Sequence, residues 1–296
     1  MPQTSTLFEM TLSFLPKKRE FEFSLIQFLK NSGFLRQEIV QTSEGLYNQL
    51  RVYVSNKARV RGLEKALKKV GHFSDVTFDC RELSLHDWAD KWKEDYQIQT
   101  LGKQFVVVPA WRKREFKPKK FKKRVPIWMD PLSAFGSGEH ETTQLIVRQI
   151  ENLSNRFDSF LDIGTGTGIL SIVARHCGAT RILGFDRDKP SAQCARMNFD
   201  ANGLAKEQTS FVRSELSGFT WKFSFDLVCA NINSHILESY REEIVGSAKI
   251  GGWVLVSGIL KETHKSFRES FDGPDLRCLK VLRGRRWVSV LYKKQS

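Results

Sequence analysis

Long apolar runs are missing from this 296-residue chain. Nowhere do about eighteen apolar residues stand together, so no membrane-crossing helix is expected. Cysteine is sparse: five residues, Cys80, Cys177, Cys194, Cys229 and Cys278, odd in number and widely scattered. That pattern excludes a disulfide framework and a zinc-ligand spacing, and it predicts reduced, mostly buried thiols. The first 23 residues carry acids and lack a basic start, an apolar core and a small-residue cleavage site, so a cytoplasmic address is expected. Acidic residues are also in deficit, 33 against 47 basic ones, and the formal charge of +14 favours an anionic partner such as nucleic acid, a ribosome or a membrane surface. What is present, 41% apolar residues over this length, is enough to fill two cores.

The first eighty residues alternate between two periods. TLFEMTLSFL (6–15), LRQEIVQT (35–42), QLRVYVS (49–55) and FSDVTFDC (73–80) read as strands, while 17–33 and 58–71 have helical spacing and stop at Gly33 and Gly71. The order β-α-β-β-α-β predicts a ferredoxin-like α+β domain over 1–82. RNA-recognition modules share that plait, but their glycine and paired aromatics are absent from QLRVYVS, so a protein-docking or purely architectural role is expected instead. Residues 83–125 read as a linker, with a short helix carrying Trp88 and Trp92 on one face, then a strand, QFVVVPAW (104–111), broken at Pro109. The run 111–124 holds nine basic residues and one acid, too charged to be buried; it is expected as a solvated loop or ribbon edge that could contact ribosomal RNA.

From Phe157 onward strands and helices alternate, which predicts, within a domain over 126–296, an α/β doubly wound parallel sheet closed by a C-terminal antiparallel hairpin, RCLKVLRG with RWVSVLYKK. Its first strand leads into LDIGTGTGIL (161–170). The glycines fall at Gly164, Gly166 and Gly168, and Ile169 stands where a dinucleotide fingerprint would have its third glycine. Asp162 adds a carboxylate at the strand end, which suits a positively charged ligand better than a pyrophosphate. S-adenosylmethionine fits: an ammonium for the carboxylate, a carboxyl end for the helix N-terminus and a ribose diol. Asp186, 22 residues after Gly164, is placed to accept the diol, with Asp188 and Pro190 starting the next helix. Asn231 ends the fourth strand, FDLVCAN, at the switch-point crevice. It lacks the following prolines and aromatic that clamp flat amides or bases, so a flexible aliphatic amine is the expected acceptor, with Asn231 orienting it and Phe135 walling the pocket.

Four stretches give the chain a resemblance to a known family: DPLSAFGSGEHETTQL (130–145), LDIGTGTGIL, LVCANI and LVSGIL (255–260). Together they resemble the methyltransferases of the large-subunit ribosomal stalk-base protein, the eleventh protein of that subunit, from about Trp88 to the C-terminus. The resemblance implies methyl transfer from S-adenosylmethionine to lysine ε-amines, in some members the N-terminal α-amine, of that protein, and it places cofactor contacts on Thr143, Gly164, Asp186 and Asn231. His140 is retained beside the substrate pocket. Leu132 replaces a glycine, and Glu139 and Glu141 replace a threonine and a proline of the family pattern. An RNA methyltransferase and a non-catalytic ribosome-bound factor are the two rival readings.

Overall fold

A computed structural model describes residues 7–15, 21, 24–26, 28–29, 39–44, 47–54, 57–73, 75–83, 96–131, 134–204, 207–217 and 224–296. Two compact units emerge, Met1–Tyr96 and Gln97–Ser296.

In the first unit β1 (Leu7–Phe14), β2 (Ile39–Glu44), β3 (Tyr47–Val54) and β4 (Thr77–Leu83) form an antiparallel sheet of order β2-β3-β1-β4. This is the ferredoxin-like arrangement. Alternation along β1 sends Phe8, Met10, Leu12 and Phe14 to one buried face. There Met10 lies opposite Val52 and Leu12 opposite Leu50. The helix Lys57–Lys69 closes over them with Val60, Leu63 and Leu67, and the helical residues Phe21, Leu25 and Leu29 belong to the same core. Trp88 and Trp92 lie outside the described residues.

The second unit begins earlier than the spacing suggests. From Gln97 onward the stretch read as a linker is part of this unit: β5 (Gln99–Leu101), β6 (Phe105–Pro109) and β7 (Val125–Met129) make a three-stranded sheet. All five residues of β6 are buried, and it runs parallel to β7. The alternation in VPIWM is too short and too interrupted by Pro126 to show as a strand in isolation. The basic run is neither ribbon nor loop but two 3-10 turns, Ala110–Glu115 and Pro118–Phe121, which carry the chain from the end of β6 back to the start of β7.

The main sheet has seven strands in the order β10-β9-β8-β11-β12-β14-β13: β8 (Ser159–Ile163), β9 (Arg181–Asp186), β10 (Thr209–Arg213), β11 (Phe225–Asn231), β12 (Ala248–Leu260), β13 (Leu276–Arg283) and β14 (Trp287–Lys294). Strands β8 to β12 are parallel, and β13 and β14 form the expected antiparallel hairpin. Every residue of β8 is buried, as a central parallel strand covered on both faces requires. The sequence order reverses direction at β8, so the carboxyl ends of β8, β9 and β11 open on one crevice. The helix read over residues 235–249 is instead two short ones, Ser234–Ser239 and Arg241–Gly246, separated at Tyr240. None of the described helices is long and apolar enough to cross a membrane.

Candidate active site

The loop leaving β8 is shaped by what its glycines allow. Gly164, Gly166 and Gly168 have φ of 70°, 52° and 79°. A Cβ on Gly166 would sit 2.2 Å from the Phe135 carbonyl oxygen, and one on Gly168 would sit 2.9 Å from Ala195 Cα. The glycine spacing thus reports left-handed backbone and close approach together. The loop amides are turned inward. Gly164 and Thr165 donate to the Phe185 carbonyl at 2.9 and 3.0 Å, Thr167 to the Phe135 carbonyl at 2.9 Å and Gly168 to the Thr165 carbonyl at 2.8 Å. Gly166 donates to Asp186 Oδ2 at 3.1 Å. At the start of the helix Ile169–His176, where the spacing puts the carboxyl end of a ligand, the amides of Thr167 and Gly168 are therefore already engaged within the chain.

Asp186 stands at the end of β9 with each oxygen oriented by one amide, Oδ2 by Gly166 and Oδ1 by Asp188 at 3.0 Å. A carboxylate has about four acceptor directions, so two remain for a diol. Asp188 caps the helix Lys189–Ala201, accepting from the Ser191 amide at 3.2 Å.

Beneath the loop Asp162 is fully buried. Its Oδ2 accepts from Ser171 Oγ at 2.6 Å and Thr165 Oγ1 at 2.9 Å, while Oδ1 has no partner. Burial pushes this carboxyl up to about 6 against the pull of the two hydroxyls and the Ser171 backbone amide, and the nearby charge of Asp186 adds to the rise. An unpaired buried carboxylate oxygen is costly unless something cationic or hydrogen-bonding meets it. Sequence spacing does not single out Ser171 or Thr165; for Ser171 the available signal is a polar residue inside the otherwise apolar ILSIVA.

Asn231 closes β11 opposite Ser257 of β12. Its Nδ2 lies 3.5 Å from Oγ1 of Thr143, a buried residue in the first turn of the helix Glu141–Asn152, so the structure brings these two predicted residues together. The LVSGIL stretch has a physical role here. Gly258 has φ 93°, sits at a register shift in β12, and a Cβ on it would meet the Ile232 carbonyl oxygen at 1.9 Å. Only glycine lets the chain just after Asn231 come down on β12.

Phe135 is exposed, 58%, and meets His140 edge-on with ring centroids 5.3 Å apart. On His140 a second ring, Trp287, stands at 5.2 Å. His140 caps the helix Glu141–Asn152, its Nδ1 lying 2.7 Å from Thr142 Oγ1 and accepting from the Thr142 amide at 3.4 Å. Burial lowers its pKa, with Glu141 opposing, so it is neutral near pH 7. Glu141, one of the departures from the family pattern, has a definite use. Its carboxylate accepts the backbone amides of Arg285, Arg286 (3.0 Å) and Trp287 (3.2 Å), and so ties the β13–β14 turn to the start of the helix. Trp287 and this clasp join residues some 145 apart in sequence, and no local pattern announces them. Leu132 lies outside the described residues.

A seven-stranded sheet with this order, a glycine loop after its central strand and an acid closing the next strand define a Rossmann-like methyltransferase fold. A family model described as "Ribosomal protein L11 methyltransferase (PrmA)" matches residues 25–295. The ribosomal protein L11 methyltransferase of Prochlorococcus marinus is 30% identical over 238 residues, 78% of each chain. That of Staphylococcus aureus is 27% identical over 288 residues, 87% of this chain and 90% of the relative. Among solved structures, a ribosomal protein L11 methylase from Lactobacillus delbrueckii superposes with a TM-score of 0.61 at 28% identity, covering 68% of this chain and all of the other. The chain belongs to the ribosomal protein L11 methyltransferase family.

Proposed function

We propose that this protein transfers methyl groups from S-adenosylmethionine to lysine ε-amines of the large-subunit ribosomal stalk-base protein, and that it does so in the cytoplasm. The observation that carries the cofactor reading is the polarity of the cradle. A pyrophosphate would bring further negative charge to a cradle that already holds the Asp162 and Asp186 carboxylates. Asp162, with one buried oxygen unmatched, fits a cationic nucleoside instead. In this reading Asp186 holds the ribose diol, Gly164 and Gly166 admit the ligand's close approach, Asp162 answers its ammonium, and Thr143 and Asn231 border its reactive end. When bound, S-adenosylmethionine supplies a methyl group already activated on a sulfonium.

What the chain must do is present a neutral amine in line. A free lysine has a pKa near ~10.4 and carries no lone pair at neutral pH. Enclosure beside Phe135, His140 and Trp287 favours the uncharged amine by desolvation, and water can take the proton. Asn231, with Nδ2 turned to Thr143, keeps Oδ1 as an acceptor for the amine's N–H. Alignment of this kind can contribute several of the ~7 to 11 kcal/mol seen in the best-oriented models. His140 is a wall and a cap in this scheme, since its Nδ1 is committed to Thr142.

The test is incubation with radiolabelled methyl donor and either dissociated or intact large subunits. Label on lysines of the stalk-base protein supports the reading, and label on RNA replaces it with the RNA methyltransferase alternative. Asn231→Ala should lower turnover sharply with the fold retained, and unchanged kinetics would remove its role.

A further inference from the structure

The crossover between β6 and β7 carries charge that neither the fold nor the proposed transfer uses. It is a built ledge. Phe116 stacks on Phe121 with centroids 5.6 Å apart and planes 21° from parallel, and meets Trp128 of β7 edge-on at 5.6 Å. Arg124 turns inward, donating from Nη1 to the carbonyls of Gly102 (3.1 Å) and Phe105 (3.0 Å). The one acid of the run, Glu115, is paired with Arg112 at 2.9 Å. Lys113 Nζ lies 5.0 Å from the Trp128 ring centroid and Lys120 Nζ 5.9 Å from that of Phe121. A 340 Å³ hollow lined by Gln97, Ile98, Glu115, Lys117, Lys120 and Phe121 opens on the same segment.

Once Arg112 and Arg124 are accounted for, Lys113, Arg114, Lys117, Lys119, Lys120, Lys122 and Lys123 remain, and all seven are exposed. Like charges gathered on eleven consecutive residues repel one another, a cost that an anionic partner relieves. The chemistry of that partner follows from what the ledge lacks. Phe116, Phe121 and Trp128 are half-buried against each other, so there is no protruding apolar wedge for a lipid surface. Nor is there an exposed aromatic anchor of the kind that centres a protein interface. Seven exposed cations on one short crossover match a regular polyanion, whose phosphates each take one charge.

We propose that residues 110–123 form a binding surface for the phosphate backbone of RNA, which holds the catalytic unit against RNA. The choice of RNA as the polyanion rests on the reading that the substrate is a ribosomal protein; the surface itself does not. Contact is through phosphate and is independent of base sequence.

The experiment is fluorescence anisotropy of the full chain with a labelled RNA hairpin of about 20 nucleotides over a series of salt concentrations. If four phosphates are engaged, a fourfold rise in salt weakens binding about 50-fold or more. The quadruple variant Lys119→Ala, Lys120→Ala, Lys122→Ala, Lys123→Ala should flatten the slope of log K against log salt by about one unit per contacting lysine. Its thermal melt and its donor binding by calorimetry should stay those of the wild type. RNA affinity and salt slope unchanged in the variant would overturn the proposal, as would tighter binding to polyglutamate or to phosphatidylglycerol vesicles than to the hairpin. A wild-type chain that binds RNA in this way but shows no heat with S-adenosylmethionine would leave the ledge standing and remove the cofactor reading.

Discussion

The glycine loop and the aromatic cluster around His140 meet at Phe135, yet they are assembled from different materials. At the loop, contacts close over short separations: the Gly166 amide and the Asp186 carboxylate are 20 residues apart, and the Thr165 hydroxyl and the Asp162 carboxylate are three. Around His140, side chains at the start of one helix reach a hairpin turn 144 to 146 residues downstream. The first construction tolerates almost no side-chain volume and so restricts residue type. The second requires only that a carboxylate and a ring arrive in the right place, and other residue pairs could do the same. The loop should therefore fail abruptly on substitution, and the cluster gradually.

Gly258 should give the largest effect, because it combines both demands of the first construction. Alanine there faces a left-handed backbone, costing about 1 to 2 kcal/mol, and a Cβ 1.9 Å from the Ile232 carbonyl. Either the melting temperature falls by several degrees or Ile232 and Asn231 move. A displacement of about 1 Å at the reacting group can cost ~100-fold in turnover. Wild-type stability together with wild-type turnover in Gly258→Ala would show that this contact constrains nothing. Next in size is Asp186→Ala, which removes the acceptor of the Gly166 and Asp188 amides and the proposed diol contact. Hydrogen bonds to a charged group contribute about 1.5 to 3 kcal/mol, so donor affinity by calorimetry should drop roughly 10- to 100-fold while the acceptor's KM changes little.

The same contrast explains what could be read in advance. Gly164, Gly166, Gly168, Asp162 and Asp186 announce themselves by spacing, because the backbone geometry they serve is local. So do the plait and the alternating sheet, whose periods of two and 3.6 are written residue by residue. The parallel pair β6–β7 was legible only in part: QFVVVP shows as a strand, but VPIWM is short and carries a proline, and its pairing depends on a crossover of basic residues that reads as loop. The single helix expected after Asn231 breaks at Tyr240, which no proline or glycine marks. Glu141 was visible only as a departure from a family pattern. Its three amide donors sit in the β13–β14 turn, and sequence spacing carries no information about which turn folds back onto which helix.

Asp162 offers a way to sharpen the comparison through pH. Its folded pKa, about 6, lies above the ordinary aspartate value near ~3.9, so the protonated acid is favoured on folding. That contribution is fully present below the unfolded value and is lost as pH rises through about 6, amounting to roughly 3 kcal/mol for two units. Asp162→Asn should therefore unfold with little of this pH dependence, and the wild type should lose stability relative to it between about pH 4 and 6.5. Donor affinity should run the other way. The wild type binds a cationic ligand well above pH 6 and loses up to tenfold per unit as the carboxyl protonates, whereas the variant binds weakly at every pH. Parallel pH profiles for the two proteins would mean that Asp162 does not meet the ligand's charge.

The smallest effect belongs to the clasp. Glu141→Ala removes the acceptor of the Arg285, Arg286 and Trp287 amides, but the turn is partly exposed and water can replace much of what is lost. A net change near ~1 kcal/mol corresponds to about a fivefold rise in the acceptor's KM, as Trp287 loosens from His140, with donor affinity unaltered. Glu141→Gln keeps one acceptor oxygen and should recover part of the loss. That recovery separates a positioning role from simple destabilisation. If alanine and glutamine variants share one wild-type KM and differ only in melting temperature, the clasp serves stability alone, and the aromatic cluster is held by ring packing without help from the carboxylate.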